Sequence, residues 1–408
     1  MKTDVIIIGG GAAGLCAAVY LKQKSPQMTV RILEALPRVG KKLITTGNGR
    51  CNITNKNISL DCYHGENKEF CRYALEKYDL TATARFFENI GIPFIYDGDK
   101  AYPSSLQAGS VVDCLRFMAE ELGVIIHTDT KVTNINVLGD GYKVVADRLG
   151  FATKNVIAAT GGLAGGEKLG CDGSMLEIMK KAGFKVTKLT PSIVQVKTVN
   201  DITKQLKGIK VDAQVSLKKG NEIFRSDFGE VLFTDYGLSG PPVMQVSRAV
   251  LKCENTAISL DVMPNTDLQT LCGMIEKRKV IMRNRPLEEF FTGMLNKRLG
   301  QVILKTAGLK LSDRVSAIDS DCVGKIAKTI KNMQFEVIGT TGFVNAQVTA
   351  GGLDTTQFNP KTMESVDCKN LYCIGEILDI DGDCGGFNLQ WAWSSAMCAA
   401  DSILGVEK

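Results

Sequence analysis

Residues 4–14, DVIIIGGGAAG, constrain this chain more than any other stretch. The β-branched run at 5–8 reads as a short strand buried on both faces. Gly9, Gly11 and Gly14 follow with G-x-G-x-x-G spacing, and a helix-like run starts at Ala12. A second strand-like run, MTVRIL, ends in Glu34, 25 residues after Gly9. Each piece has a reason in a nucleotide-binding βαβ unit. Gly9 permits a tight turn, Gly11 lets backbone reach a pyrophosphate, and Gly14 lets the helix pack close to the strand. The first N–H groups of that helix, around Ala12 and Ala13, have no intrahelical partner and attract an anion. Glu34 accepts from adenosine ribose hydroxyls, and its charge repels a 2′-phosphate. FAD or NAD therefore suits this pocket better than NADP.

One fingerprint does not separate FAD from NAD. The far end of the chain does. Residues 371–403 offer a strand, LYCI, then Gly375-Glu376, a glycine-rich turn through Gly386, and a long small-residue helix carrying Asn388 and Leu389. In two-dinucleotide-type flavoproteins the chain returns in this way and points a helix N-terminus at the flavin ring. A strand ending in Ala-Thr-Gly-Gly, with Thr160, Gly161 and Gly162, supplies a third piece from mid-sheet. Three separated pieces of one site favour FAD. They also recast KKLITTGNGRCNITN (41–55), whose cations and glycines would otherwise suit a nucleic-acid patch or a cysteine site. It reads as the loop running from the adenosine end of FAD toward the ring. Lys41 or Lys42 meets pyrophosphate or ribose, Asn48 and Gly49 let backbone approach, Arg50 faces the ring edge, and Cys51 is a bystander.

The fold class expected is α/β: a two-dinucleotide-type Rossmann FAD domain, glutathione-reductase-like, with an inserted antiparallel β domain and a small helical domain nested in it. The FAD domain is discontinuous, 1–190 and 345–408. The β domain covers 191–264 and 334–344, and the helical insert 265–333. Alternation around Gly139-Asp140-Gly141 marks a hairpin in 130–150. A helix begins at Asp172 or Ser174 and closes at Gly183. The 49 cations and 44 anions leave a mild +5, which neither demands nor excludes an acidic partner. Lys277, Arg278, Lys279, Arg283 and Arg285 cluster in the insert without interleaved aromatics, so a solvated face is favoured over a nucleic-acid partner. No apolar run reaches the roughly 18 residues a membrane span needs, and the N-terminal run lacks a signal-type cleavage region, so a cytoplasmic location without a membrane partner is expected. Thirteen cysteines without a CxxC pair fit reduced core thiols. Only His64 and His127 are available for a histidine-based site, and His127 sits in a strand-like run; no metal is expected.

The motifs GKKLITTGNGRCNITN, YPSSLQAGSVVDCL, ATGG, GEVLFTDYGLSGPPVMQVSR, VTAGGL, TMES and GEILDIDGDCGGFNLQWAWSSA run the length of the chain. In them the chain resembles a bacterial flavoprotein family that includes aminoacetone oxidases and bile-acid-inducible 3-oxo steroid reductases. The resemblance implies FAD contacts from Ala13, Glu34, Lys41 or Lys42, Asn48, Gly49, Arg50, the backbone of Val132, Gly161, Gly162, Glu376, Asn388 and Leu389.

Flavin carries the redox step, and the protein supplies position, polarity and a proton. Candidates beside the ring are Arg50, Tyr102, Ser104 and Asp381. Arg50 suits negative charge on the ring or on a substrate carbonyl. Tyr102 suits protonation next to a forming enolate, although a buried ring bonded to backbone explains it equally well. Cys51 and Cys384 lack a nearby sequence partner for thiol redox chemistry, and Trp391 and Trp393 pack beneath the cofactor. With a single fingerprint, NADH or NADPH would enter the substrate cleft in alternation with a small-molecule substrate. The favoured activity is reduction of an activated C=C bond, such as a 3-oxo steroid or bile-acid enone. The alternatives are an aminoacetone-type amine oxidase using oxygen and a flavin-bearing RNA-binding or scaffold protein.

Overall fold

The computed structural model describes residues 2–147, 149–199, 201–250 and 255–406. By contact it divides into two units, Met1–Ser192 with Phe343–Lys408, and Ile193–Gly342. In the first unit the opening strand, Lys2–Ile8, is central, as its apolar run requires: Val5, Ile6 and Ile7 are fully buried. It pairs in parallel with Val30–Leu33 on one side and Leu149–Ala158 on the other, so Ile7 faces both Ile32 and Ile157. Ile125–His127 extends the sheet in parallel beyond Val30–Leu33. Leu371–Cys373 adds in parallel to the far half of Leu149–Ala158, while Gly141–Ala146 pairs antiparallel with its near half. Val132–Leu138 and Gly141–Ala146 form the expected hairpin. The helix read near 172–183 spans Ser174–Lys181.

Two helices cover the nucleotide face. Ala12–Lys24 follows the first strand after three residues and carries Lys22 and Lys24 in its last turn, where cations favour the dipole. Phe387–Leu404 packs against it and is buried from Gln390 to Asp401. A helix buried this fully must satisfy its polar side chains internally. Gln390 does so through Tyr78 O (2.7 Å), Thr83 (2.9 Å) and Ser394 (2.8 Å). Asp401 accepts from Tyr20 (3.1 Å), Lys77 (2.8 Å) and Tyr78.

The second unit has its own core. Among the described residues, six antiparallel strands close into a barrel: Val196–Thr198, Gly237–Ser239, Glu222–Phe233, Lys210–Lys219, Ala257–Asp261 and Met333–Thr340. Closure removes every edge that could pair with another chain. Between the last two strands run helices Leu268–Ile281, Lys297–Thr306 and Ser320–Lys331, each opened by a side-chain cap from Asp267, Asn296 or Asp319. Two segments depart from the all-strand reading of 191–264, the short helix Ile202–Gln205 and a longer one. Pro241–Val250 is a helix, because consecutive prolines preset φ at its first positions, where no N–H bond is lost. The exit and return of the chain meet in the first unit, where Thr190–Ser192 pairs with Val348–Ala350. Among the described residues no helix is long and apolar enough to cross a membrane. No group of three or more His, Cys, Asp or Glu there could hold a metal.

Candidate FAD site

The fingerprint glycines have distinct steric reasons. At Gly14 a Cβ would lie 2.0 Å from the carbonyl oxygen of Gly9, so helix and turn touch only because no side chain intervenes. Gly9 itself holds φ +104°, with the Ala159 carbonyl oxygen 2.7 Å from any added Cβ. Gly11 differs: a Cβ there meets nothing within 4 Å. It is the N-cap of Ala12–Lys24 and provides no side-chain cap, and no acid occupies the first turn. The first N–H groups, at Ala12 and Ala13, stand at the positive end of a helix whose N-cap residue has open space beside it, which fits a pyrophosphate.

Glu34 ends the second strand. Its Oε2 accepts from Gly10 N and its Oε1 from Leu36 N, both at 2.8 Å. Burial raises its pKa against the pull of those two N–H groups. Each oxygen keeps a free lone pair for a ribose hydroxyl. Thr130 N donates to the Glu34 carbonyl at 2.8 Å, which brings the start of Val132–Leu138 alongside.

Lys41 and Lys42 open a short helix, Lys41–Thr45, rather than an irregular loop. Lys42 turns inward and pairs with Glu376 Oε2 at 2.6 Å, while Glu376 Oε1 accepts from Thr349 N at 2.8 Å. Thr349 Oγ1 in turn accepts from Leu163 N and Ala164 N, just after Thr160-Gly161-Gly162. At Gly162 a Cβ would sit 2.5 Å from that hydroxyl, and Gly161 (φ +70°) lies beside Glu376. Gly375 contacts Ala13, its would-be Cβ 3.2 Å from the alanine methyl. Glu376 therefore ties the middle of the sheet to Lys42, and Gly375 meets the fingerprint helix.

Gly47, Asn48 and Gly49 take successive left-handed conformations (φ 57°, 53° and 80°), which exposes Asn48 and leaves Gly49 facing open space. Arg50 follows, its guanidinium 4.7 Å above the Tyr102 ring and its Nη2 3.5 Å from the hydroxyl; Asp97 lies 3.7 Å away. Tyr102 is buried, and burial raises its pKa against the lowering effect of Arg50. Ser104 is exposed. Cys51 is fully buried and its thiol is pushed up to about 12, which removes it from thiol chemistry.

At the far end, Gly386 (φ +100°) caps Phe387–Leu404 without a side chain. The side chain of Asn388 is committed to its own loop, accepting from Gly382 N and donating to Gly382 O, both at 2.8 Å. Only its backbone N–H remains to meet a ligand. Leu389 packs partly on the core. Trp391 and Trp393 donate to Gly375 O (3.1 Å) and Ile53 O (3.0 Å), so the tryptophans hold the two flavin-side turns to the helix. Buried Asp381 pairs its backbone with His64, and the His64 ring meets Asp383 Oδ1 at 2.7 Å. His64, Asp383 and Asn52 join this region, although the sequence reading gave none of them a role there. His127 is structural, bonded to Arg31 at 3.0 Å.

Two uncapped helix starts, one near the carboxylate of Glu34 and one in the region of a cation–phenol pair, are the parts an FAD-dependent oxidoreductase of the Rossmann class needs. Comparison with known proteins agrees. The chain belongs to the family described as HI0933-like protein Rossmann domain, whose model matches residues 3–402. It is 34% identical over 397 residues to the 3-dehydro-bile acid delta(4,6)-reductase of Clostridium scindens, covering 96% of this chain and 97% of that one. It is 29% identical to the ribosomal RNA dihydrouridine synthase of Haemophilus influenzae, covering 98% of each. The fold matches the crystal structure of 3-ketosteroid delta1-dehydrogenase from Sterolibacterium denitrificans over 100% of both chains, with a TM-score of 0.54 and 13% identity. The expectation against a nucleic-acid partner finds no support in these relatives.

Proposed function

We propose that this protein reduces a C=C bond conjugated with a carbonyl, that its substrate is a 3-oxo steroid or bile-acid type enone, and that NADH or NADPH is the donor. The Arg50–Tyr102 pair carries the reading. When bound, FAD supplies hydride transfer to the β-carbon. Tyr102, like any phenol, carries its proton at neutral pH, burial strengthens that hold, and it donates that proton to the α-carbon. Arg50 eases loss of the phenolic proton and stabilises negative charge on the substrate carbonyl oxygen. Lys42, Glu376, Glu34 and the two helix starts hold the cofactor. Two relatives support the reaction class: saturating a Δ4,6 enone and forming dihydrouridine both reduce a C=C conjugated with a carbonyl. Neither name describes the oxidation of an amine.

A second reading, a uracil base within RNA, draws on the helical segment. Residues 265–333 hold thirteen Lys and Arg against seven Asp and Glu, a net +6 in a chain whose total is +5. Val315 N and Ser316 N donate to Arg285 O (2.9 Å) and Arg283 O (3.2 Å), which brings Arg314 beside this cationic turn. Exposed Val280 and Ile281 adjoin it. Such a ridge suits phosphates.

Anaerobic mixing separates the readings. NADH or NADPH should bleach the yellow protein, and an enone steroid should restore the colour. Restoration by a uridine-bearing ribosomal RNA fragment and not by the enone moves the substrate to RNA. Bleaching by aminoacetone alone refutes C=C reduction.

A further inference from the structure

We infer that Asn52 is a cofactor-positioning residue whose side-chain oxygen accepts the N3–H of the FAD ring. The inference rests on the reading that this protein holds FAD. Asn52 is 8% exposed, and its Oδ1 is buried without a hydrogen-bond partner. Within the unit formed by Met1–Ser192 and Phe343–Lys408 it is the one such side-chain atom among the described residues. Native folds rarely leave a buried acceptor unmet, so a missing donor is the natural explanation.

The position of the orphan identifies the donor. A Cβ on Gly386 would come within 2.8 Å of Asn52 Oδ1, so the oxygen lies against the residue that opens the eighteen-residue C-terminal helix. The same asparagine adjoins the TGNG turn, since a Cβ on Gly47 would lie 3.0 Å from Asn52 N and 3.6 Å from the Tyr102 ring. The orphan thus sits where the bare helix start, the left-handed TGNG turn and the Arg50–Tyr102 pair converge. An oxidised isoalloxazine offers one ring N–H, at N3. Every other polar ring atom is an acceptor and cannot satisfy Oδ1. Ribityl hydroxyls are the competing donors, and a methyl group at N3 distinguishes them.

The experiment compares FAD with 3-methyl-FAD on apoprotein reconstituted from the purified full chain, reading affinity by flavin fluorescence. Wild type should bind FAD about tenfold or more tighter than 3-methyl-FAD, the worth of one hydrogen bond to a buried acceptor. Asn52→Leu removes the acceptor at similar volume. It should lose about tenfold in FAD affinity and should bind the two cofactors alike, while its apoprotein melts at or above the wild-type temperature. A residue that merely stabilises the fold gives the opposite thermal result. Asn52→Asp keeps an acceptor, so discrimination should return together with a lower flavin midpoint potential. Wild type binding both cofactors equally overturns the inference, as does Asn52→Leu retaining wild-type FAD affinity. Should Asn52→Leu fail to fold, wild type and Asn52→Asp decide between them. A wild-type apoprotein that binds neither cofactor overturns the FAD reading and this inference together.

Discussion

Lys42 and Glu376 stand 334 residues apart in sequence and share a 2.6 Å ion pair. Burial alone would lower the Lys42 pKa, but Glu376 raises it further. The raised value means that the pair's contribution is complete at neutral pH and is lost only as pH rises through the alkaline folded value. Glu376→Gln keeps an acceptor for Thr349 N but strands the ammonium. We expect a loss of about 2 kcal/mol in thermal stability and weaker FAD retention. Lys42→Met combined with Glu376→Gln should recover stability without recovering FAD affinity. Additive losses in that cycle would mean that the pair is not coupled.

Glu34 gives a pH dependence of known sign. Its folded pKa is raised by burial, so it takes up a proton above the ordinary carboxylate range. The charged form is the better acceptor for ribose hydroxyls. FAD affinity should therefore fall as pH drops through that raised value. Apoprotein stability should move the other way, gaining as pH falls, because the folded state binds the proton more readily than the unfolded chain. Glu34→Gln should flatten both profiles in fluorescence titrations and melts taken from neutral to mildly acidic pH.

Gly11 and Gly14, three residues apart, should fail differently. Gly14→Ala drives a methyl into the Gly9 carbonyl and is expected to cost several kcal/mol, visible as loss of soluble folded protein. Gly11→Ala meets only open space, so the apoprotein should lose less than about 1 kcal/mol. Its purified form should nevertheless be colourless, because the methyl occupies cofactor space. Yellow, fully loaded Gly11→Ala protein would refute the pyrophosphate site.

Tyr102→Phe tests the proton donor. Turnover of the C=C substrate should fall about 10²- to 10⁴-fold, the usual worth of a placed acid. The wild-type rate should decline only above the ordinary tyrosine range, since burial raises this phenol, and the variant should lack that limb. FAD content should not change. An unaltered rate removes Tyr102 from the mechanism and leaves Arg50 alone beside the substrate.

The fingerprint was legible because everything it needs is local. One strand, one turn and one helix fix the roles of Gly9, Gly11 and Gly14 within a dozen residues, and Glu34 follows from the strand length. Arg50 and Tyr102 were each legible as candidates, but their stacking was not, since it depends on packing between a turn and a strand 52 residues on. The sequence left Lys41 and Lys42 equivalent, because the Glu376 that draws Lys42 inward lies at the other end of the chain. Nothing in the sequence pairs His64 with Asp383 or picks Asn52 out of its loop; an asparagine becomes informative only when its surroundings fail to bond it. The helix Pro241–Val250 was absorbed into the β reading of 191–264, although its paired prolines are also a helix start.

The strand Leu371–Cys373 and the helix Phe387–Leu404 complete a sheet and a core begun at Lys2. During synthesis at roughly 5–20 residues per second, Lys2–Ile8 and its glycine turn wait tens of seconds for them. The barrel unit, Ile193–Gly342, is complete well before that. Until Trp391 and Trp393 arrive, the carbonyls of Gly375 and Ile53 lack the indole donors that hold these two turns to the helix. Cofactor loading therefore waits on the helix Phe387–Leu404, and a polypeptide truncated before it lacks the turn-holding tryptophans although its barrel unit is whole.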